Sequence, residues 1–147
     1  MAKKWMFSFV LLIVMFSVDA QFRKIPGDVT DSFKVRYEDA SGVSWKDRLS
    51  SFQADFTMDD KEMKALFSSK GEWIKTETKH TYNNLSAEVK DGFKKSKYAD
   101  LEVLDVTQID DRDNQTQFRI VVKKNDFNKR SLIFSKTGQL ISDNASL

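Results

Sequence analysis

Two stretches of the chain, LFSSKGEWI at 66–74 and IFSKTGQLI at 133–141, follow one pattern: aliphatic, Phe, Ser, a short polar run, Gly, polar, apolar, Ile. Each reads as a strand that ends in a tight turn. Phe67 and Phe134 are expected to point into a core, and Gly71 and Gly138 to supply the positive φ that reverses the chain. A second echo lies upstream, where Val29, Phe33 and Tyr37 stand against Val89, Phe93 and Tyr98. The pattern predicts two related units, each a helix followed by antiparallel strands.

The first twenty residues differ from the rest. Lys3 and Lys4 form a basic head, Trp5 to Phe16 is almost unbroken apolar sequence, and Ser17-Val18-Asp19-Ala20 ends in small residues. That is the layout of a secretory signal peptide cleaved before Gln21. The apolar run is short for a membrane span, which takes about 20 residues. Its removal takes away Lys3, Lys4 and Asp19, so the formal charge falls from +2 to +1. The mature surface is therefore mixed in sign, with no electrostatic footprint for nucleic acid. The chain has no cysteine, so an exported fold must rest on its hydrophobic core, without disulfides. A mature chain of this length buries about two-thirds of its unfolded surface, which suffices.

Residues 21–25 read as a short lead-in. Pro26-Gly27-Asp28 opens a first helix, with Val29, Phe33 and Tyr37 forming one apolar stripe, and Asp39 to Gly42 stops it. Ser86 is a good N-cap for the second helix, in which Gly92 lowers the propensity by about 1 kcal/mol relative to Ala. Strands follow each helix. Phe52, Ala54, Phe56 and Met58 alternate with Gln53, Asp55 and Thr57; Asp59-Asp60 is a hairpin tip, and Met63, Ala65 and Phe67 return. The run EWIKTETKHTY is a long strand crossing into the second unit. Leu101 and Val103 are out of phase with Leu104 and Val106, which calls for a bulge near 103–104. Asp110 to Asn114 reads as a polar loop, Phe118, Ile120 and Val122 as an inward-facing strand, Asn125 to Asn128 as a turn, and Leu132 and Phe134 as the return. The expected fold class is α+β: a tandem repeat, α-β-β-β-β twice, over 26–82 and 85–141, with helices on one face of the sheet.

These residues resemble the PepSY-like, β-lactamase-inhibitor-like family of exported bacterial proteins. The resemblance rests on the paired helix starts, on the Phe-x-x-x-Gly-x-apolar strand endings at 67–73 and 134–140, and on GEWIKTET at 71–78. It covers about residues 26–142. Lys46-Asp47-Arg48 departs from the family pattern, in which an aromatic-Glu-Val strand is expected. The resemblance implies a tandem helix-and-sheet fold whose open sheet face serves as a docking surface, and no enzymatic activity. For the family's namesakes that surface blocks a periplasmic enzyme.

Chemistry finds little purchase in the residues themselves. His80 is the only histidine, and it is expected on a solvated strand face. Asp110 to Asn114 lacks the Gly and the closing Glu of a calcium loop. There is no G-x-S-x-G elbow and no evident carboxylate pair, so neither catalysis nor a cofactor or metal is expected. Trp45 and Trp73 read as core, whereas Phe127 falls at a hairpin tip where burial is difficult. The expected function is that of an exported, non-enzymatic binding or inhibitor-like module. Its partner-binding residues are expected to be Gln53, Asp55, Thr57, Lys75, Glu77 and Arg119 on the polar sheet face, with Phe127. The expected partner is a periplasmic or secreted protein, with no nucleic acid and no membrane for the mature form. The alternative is an envelope protein that sequesters a ligand or peptide. Mass spectrometry of the exported protein should find an N-terminus near Gln21; retention of residues 1–20 would remove the export argument.

Overall fold

A computed structural model describes residues 23–126 and 128–146; the leader and Phe127 lie outside them. Helix α1 (Gly27–Arg36) precedes strands β1 (Ser41–Asp47), β2 (Ser51–Met58), β3 (Lys61–Ser68) and β4 (Trp73–His80). A 3-10 turn (Tyr82–Asn84) leads to helix α2 (Ala87–Lys94), then to β5 (Glu102–Asp111), β6 (Thr116–Asn125), β7 (Asn128–Ser135) and β8 (Leu140–Ser146). All eight strands form one antiparallel sheet in chain order. The class is α+β, an eight-stranded antiparallel sheet with two helices.

Register places both helices on the same face. Phe56, Met63, Thr78, Gln108, Phe118 and Phe134 stand opposite one another strand by strand, so their side chains share a side. Phe56 meets Phe33 of α1 edge-on at 5.0 Å, and Phe134 meets Phe93 of α2 at 6.3 Å. Between these two ends the row turns polar at Thr78 and Gln108. The interior is accordingly divided. One core gathers Val29, Phe33, Tyr37, Phe52, Ala54, Phe56, Ala65 and Phe67. The other gathers Val89, Phe93, Tyr98, Ile120, Val122, Leu132 and Phe134 with their neighbours.

Each helix is seated on the turn that closes its own set of strands. Gly71 and Gly138 have φ of 80° and 83°, in the left-handed region that favours glycine. A β-carbon at Gly71 would run into the carbonyl of Asp28, and one at Gly138 into that of Glu88, so both turns press against the first turn of a helix. The Ser68 hydroxyl accepts from the backbone of Glu72 at 3.1 Å, and the Ser135 hydroxyl from that of Gln139 at 3.1 Å. Gly92 has a reason that propensity does not reveal: any side chain there would overlap the Gly138 backbone. Ser86 caps α2 through the Val89 amide at 3.3 Å.

The predicted bulge lies between Val103 and Asp105 and leaves Leu104 exposed. The Asp59-Asp60 tip has φ of 50° and 58°, as a two-residue hairpin turn requires. Lys46 and Asp47 belong to β1 and pair with β2, so the departure from the family pattern does not cost a strand. Two expectations are corrected. The acidic loop is shorter than predicted, because β5 continues to Asp111; the Asp111 carboxylate then accepts the Asp113 and Gln115 amides at 3.0 Å and closes the turn. His80 is not on a solvated face. It pairs with Val106 on the helix side, is half-buried, and stacks on Phe118 at 5.9 Å. Burial, with the nearby Lys61 charge, lowers its pKa.

Phe67 and Phe134 are fully buried, so truncating either to Ala should destabilise the protein by about 3–5 kcal/mol in urea unfolding. Gly92→Ala should also destabilise it, although in an isolated helix the same change stabilises by about 1 kcal/mol.

Candidate functional site

The face opposite the helices is uncovered and polar. In register it carries Ser44, Asp55, Lys64 and Glu77 along one row, and Gln53, Leu66 and Lys75 along the next. Thr107 and Arg119 continue it across β5 and β6. The six sheet residues expected to bind a partner (Gln53, Asp55, Thr57, Lys75, Glu77 and Arg119) all lie on this face. Phe127 lies outside the described residues.

Ion pairs tie these side chains into three groups. Glu77 accepts from Lys75 at 2.7 Å and from Arg119 at 2.9 Å, which links β4 to β6 across the intervening β5. Asp55 is held by Lys46 and by the Gln53 amide, and Arg48 Nε donates to Gln53 at 3.1 Å. Asp105 pairs with Lys79 and accepts the Thr107 hydroxyl at 2.9 Å. Thr57 stands outside all three groups but lines the depression they enclose. That hollow, of about 390 Å³, lies among Ser44, Asp55, Thr57, Lys64, Glu77 and Arg119.

The sequence reading found all three members of the first group and Gln53 and Asp55 of the second by strand alternation, and it missed Lys46 and Arg48, which complete the second, and the whole of the third. Lys79 was within its reach, two positions beyond Glu77 on the same strand. Asp105 was hidden by the bulge at Leu104, which reverses the phase of β5. Trp45 and Trp73 are half-buried against the α1 core, as their core reading expected. Trp73 Nε1 donates to Thr76 at 2.9 Å, and the Arg36 guanidinium sits 3.5 Å from the ring centroid.

The electrostatics describe a surface already in order. Burial acts to raise the pKa of Glu77, but the hydrogen bonds from Arg119 and Lys75 outweigh it and lower the value to about 2. Burial likewise opposes ionisation of Asp55 and Asp105, and their lysine partners again prevail, holding both below the usual carboxylate range. All three carboxylate pKa values are thus lowered, the reverse of the raised value a general acid requires. Among the described residues no cluster of three metal-ligating side chains occurs, and no helix is long and apolar enough to cross a membrane.

Glu77 generates a pH prediction. Its folded pKa lies below the ordinary value of 4.5, so its contribution is complete above that value and is lost as pH falls toward about 2. Glu77→Gln should cost about 1–3 kcal/mol at neutral pH and flatten the acid limb of the stability curve, as read by urea titrations across that range.

With this geometry, the chain can be set beside known proteins. A family model described as "Putative beta-lactamase-inhibitor-like, PepSY-like" matches residues 50–142. A DUF2874 family protein of Bacteroides ovatus has a TM-score of 0.80 at 27% identity, over 84% of this chain and 89% of that one. A BLIP-like protein of Bacteroides fragilis has a TM-score of 0.79 at 26% identity, over 86% of this chain and 90% of its own. A protein of Bacteroides eggerthii described as "putative periplasmic" has a TM-score of 0.78 at 26% identity, with coverages of 83% and 89%. No curated protein matches the chain. None of these descriptions names an enzymatic activity. The family match spans more than half of the sequence, and the protein belongs to the PepSY-like, β-lactamase-inhibitor-like family.

Proposed function

We propose that the protein is an exported, non-enzymatic binding module of inhibitor-like kind, and that it docks on a periplasmic or secreted protein through the open face of its sheet. The observation that carries this reading is the uncovered face itself. Both helices pack on the other side, while Gln53, Asp55, Lys75, Glu77 and Arg119 are already held in place by one another. A surface ordered before contact loses less side-chain entropy on association, and its fixed charges select partners. The family's inhibitor-like description and the periplasmic description of the Bacteroides eggerthii relative agree with it. The leader at 1–20 supplies the route out of the cytoplasm.

The same proposal covers the internal organisation. Residues 26–82 and 85–141 are taken as two copies of one unit within a domain over 26–142. Support comes from the matching Gly71 and Gly138 turns and their identical seats on Asp28 and Glu88. The copies have diverged. β5 and β6 have ten residues each where β1 and β2 have seven and eight.

The rival reading, sequestration of a small ligand, finds less support. The hollow beneath Thr57 has a ligand-like volume, yet it is lined largely by charged side chains, whereas small-molecule pockets are mostly apolar. Photo-crosslinkers placed at Thr57 and at Lys34, on the exposed side of α1, separate the possibilities in the native envelope. A protein adduct formed from Thr57 and not from Lys34 is expected, and the purified complex should be weakened by Thr57→Arg. Equal adducts from both positions would overturn the reading.

A further inference from the structure

One end of the open face differs in charge from the rest. Between β2, β3 and β4 lies a second hollow of about 270 Å³, bordered by Arg48, Ser51, Gln53, Lys64, Leu66 and Lys75. Leu66 is its apolar floor, half-buried between Gln53 and Lys75 in register. Its charges are unequal. Among the described residues that border it, Glu77 is the one acid, and it already accepts from both Lys75 and Arg119. Lys64 stands exposed in the row between Asp55 and Glu77; its charge helps to lower the pKa of Asp55, but it forms no ion pair or hydrogen bond among the described residues. Arg48 is exposed and is held at the rim through its Nε by Gln53, and its terminal nitrogens have no hydrogen-bond acceptor among the described residues.

The hairpin above this hollow is unusual. Leu49, next to Arg48, has φ of 62° and is 91% exposed. A leucine pays a steric penalty in the left-handed region, and at this apex it recovers nothing by burial. The turn is nonetheless fixed, with the Arg48 amide donating to the Ser51 carbonyl at 2.9 Å and Arg23 reaching the Leu49 carbonyl. An apolar side chain is thus held out in solvent beside a cationic hollow with an apolar floor.

We propose that this hollow receives an acidic segment of the partner protein, with a carboxylate set between Arg48 and Lys64 and an adjoining aliphatic side chain against Leu66 and Leu49. Charge complementarity selects that occupant. Among the described residues the site offers two cations in no ion pair, and its one acid is neutralised by two others. The apolar floor and the exposed leucine add a requirement that a bare anion does not meet. The inference rests on the reading of the open face as a docking surface and specifies the chemistry of what docks there.

The test uses the mature protein and a fluorescein-labelled peptide of alternating glutamate and leucine, with a lysine–leucine peptide as its counterpart. Anisotropy should show binding of the acidic peptide alone, weakened about tenfold or more by Lys64→Glu or Arg48→Glu and weakened by added salt. Leu49→Ser should weaken it while leaving the salt dependence unchanged. Lys94→Glu, on an exposed lysine of α2 away from the hollow, should change it less than twofold. Equal loss with Lys94→Glu would reduce the effect to general attraction and overturn the proposal. So would failure of the acidic peptide to bind, or competition by inorganic phosphate at equal strength. Should the peptide fail while the Thr57 crosslink to a partner persists, the open-face reading stands and the acidic chemistry falls.

Discussion

The ladder between β4 and β5 is the interaction on which the rest of the molecule depends. The two hydrophobic cores are separate, each closed by its own helix, and their meeting ground on the helix side is polar. Six pairs, from Lys75 opposite Asp111 to His80 opposite Val106, make one sheet of what would otherwise be two small layers. A layer of four short strands under one helix buries little apolar area alone, so this ladder brings the chain to the size of a stable domain. Glu77 reinforces it on the far side, since its contact with Arg119 spans all of β5. On the near side the Tyr37 hydroxyl meets Thr76 of β4, tying α1 to the first strand of the seam.

That seam explains why the polar face can be both exposed and ordered. Exposed ion pairs contribute little to stability, about 0–1 kcal/mol each. Their value here is positional. Glu77 is only 16% exposed at its side chain and Arg119 29%, so the central group keeps its geometry better than a solvated pair would. Toward the β1–β2 hairpin the balance changes, and cations outnumber the acids that could satisfy them. One surface therefore combines a settled centre with an unsatisfied end. On the proposed docking reading that is a basis for selectivity, with the unsatisfied groups choosing the partner and the settled ones rejecting poor matches.

Much of this architecture was legible in the residues. The two glycine turns, the N-cap at Ser86, the alternation of Phe52, Ala54 and Phe56 and the phase break at Leu104 are local rules written in local sequence, and each has its place in the structure. His80 was not legible. It lies in a strand that is polar on both faces, where alternation carries no hydrophobic signal to say which face is inside. Gly92 was legible as a weakness but not as a contact, because its partner Gly138 is remote in sequence. The open-face residues were found by phase alone, the Lys75, Glu77 and Arg119 group among them. Lys46 and Asp105 were missed because they reach their places through pairing with other strands, and pairing is not visible in a single stretch of chain. Phe127 lies outside the described residues.

Strand order has a consequence for how such a chain assembles. Because every strand lies beside its neighbour in sequence, most ladders close over a turn of a few residues, and little chain entropy is lost in bringing their edges together. The β4–β5 junction alone must enclose the 3-10 turn and the whole of α2, residues 81–101. The meander thus has one expensive closure among cheap ones, and it falls at the midpoint. Two ribbons can zip up independently with low contact order, leaving the joining of their inner edges as the step that demands the most from the chain.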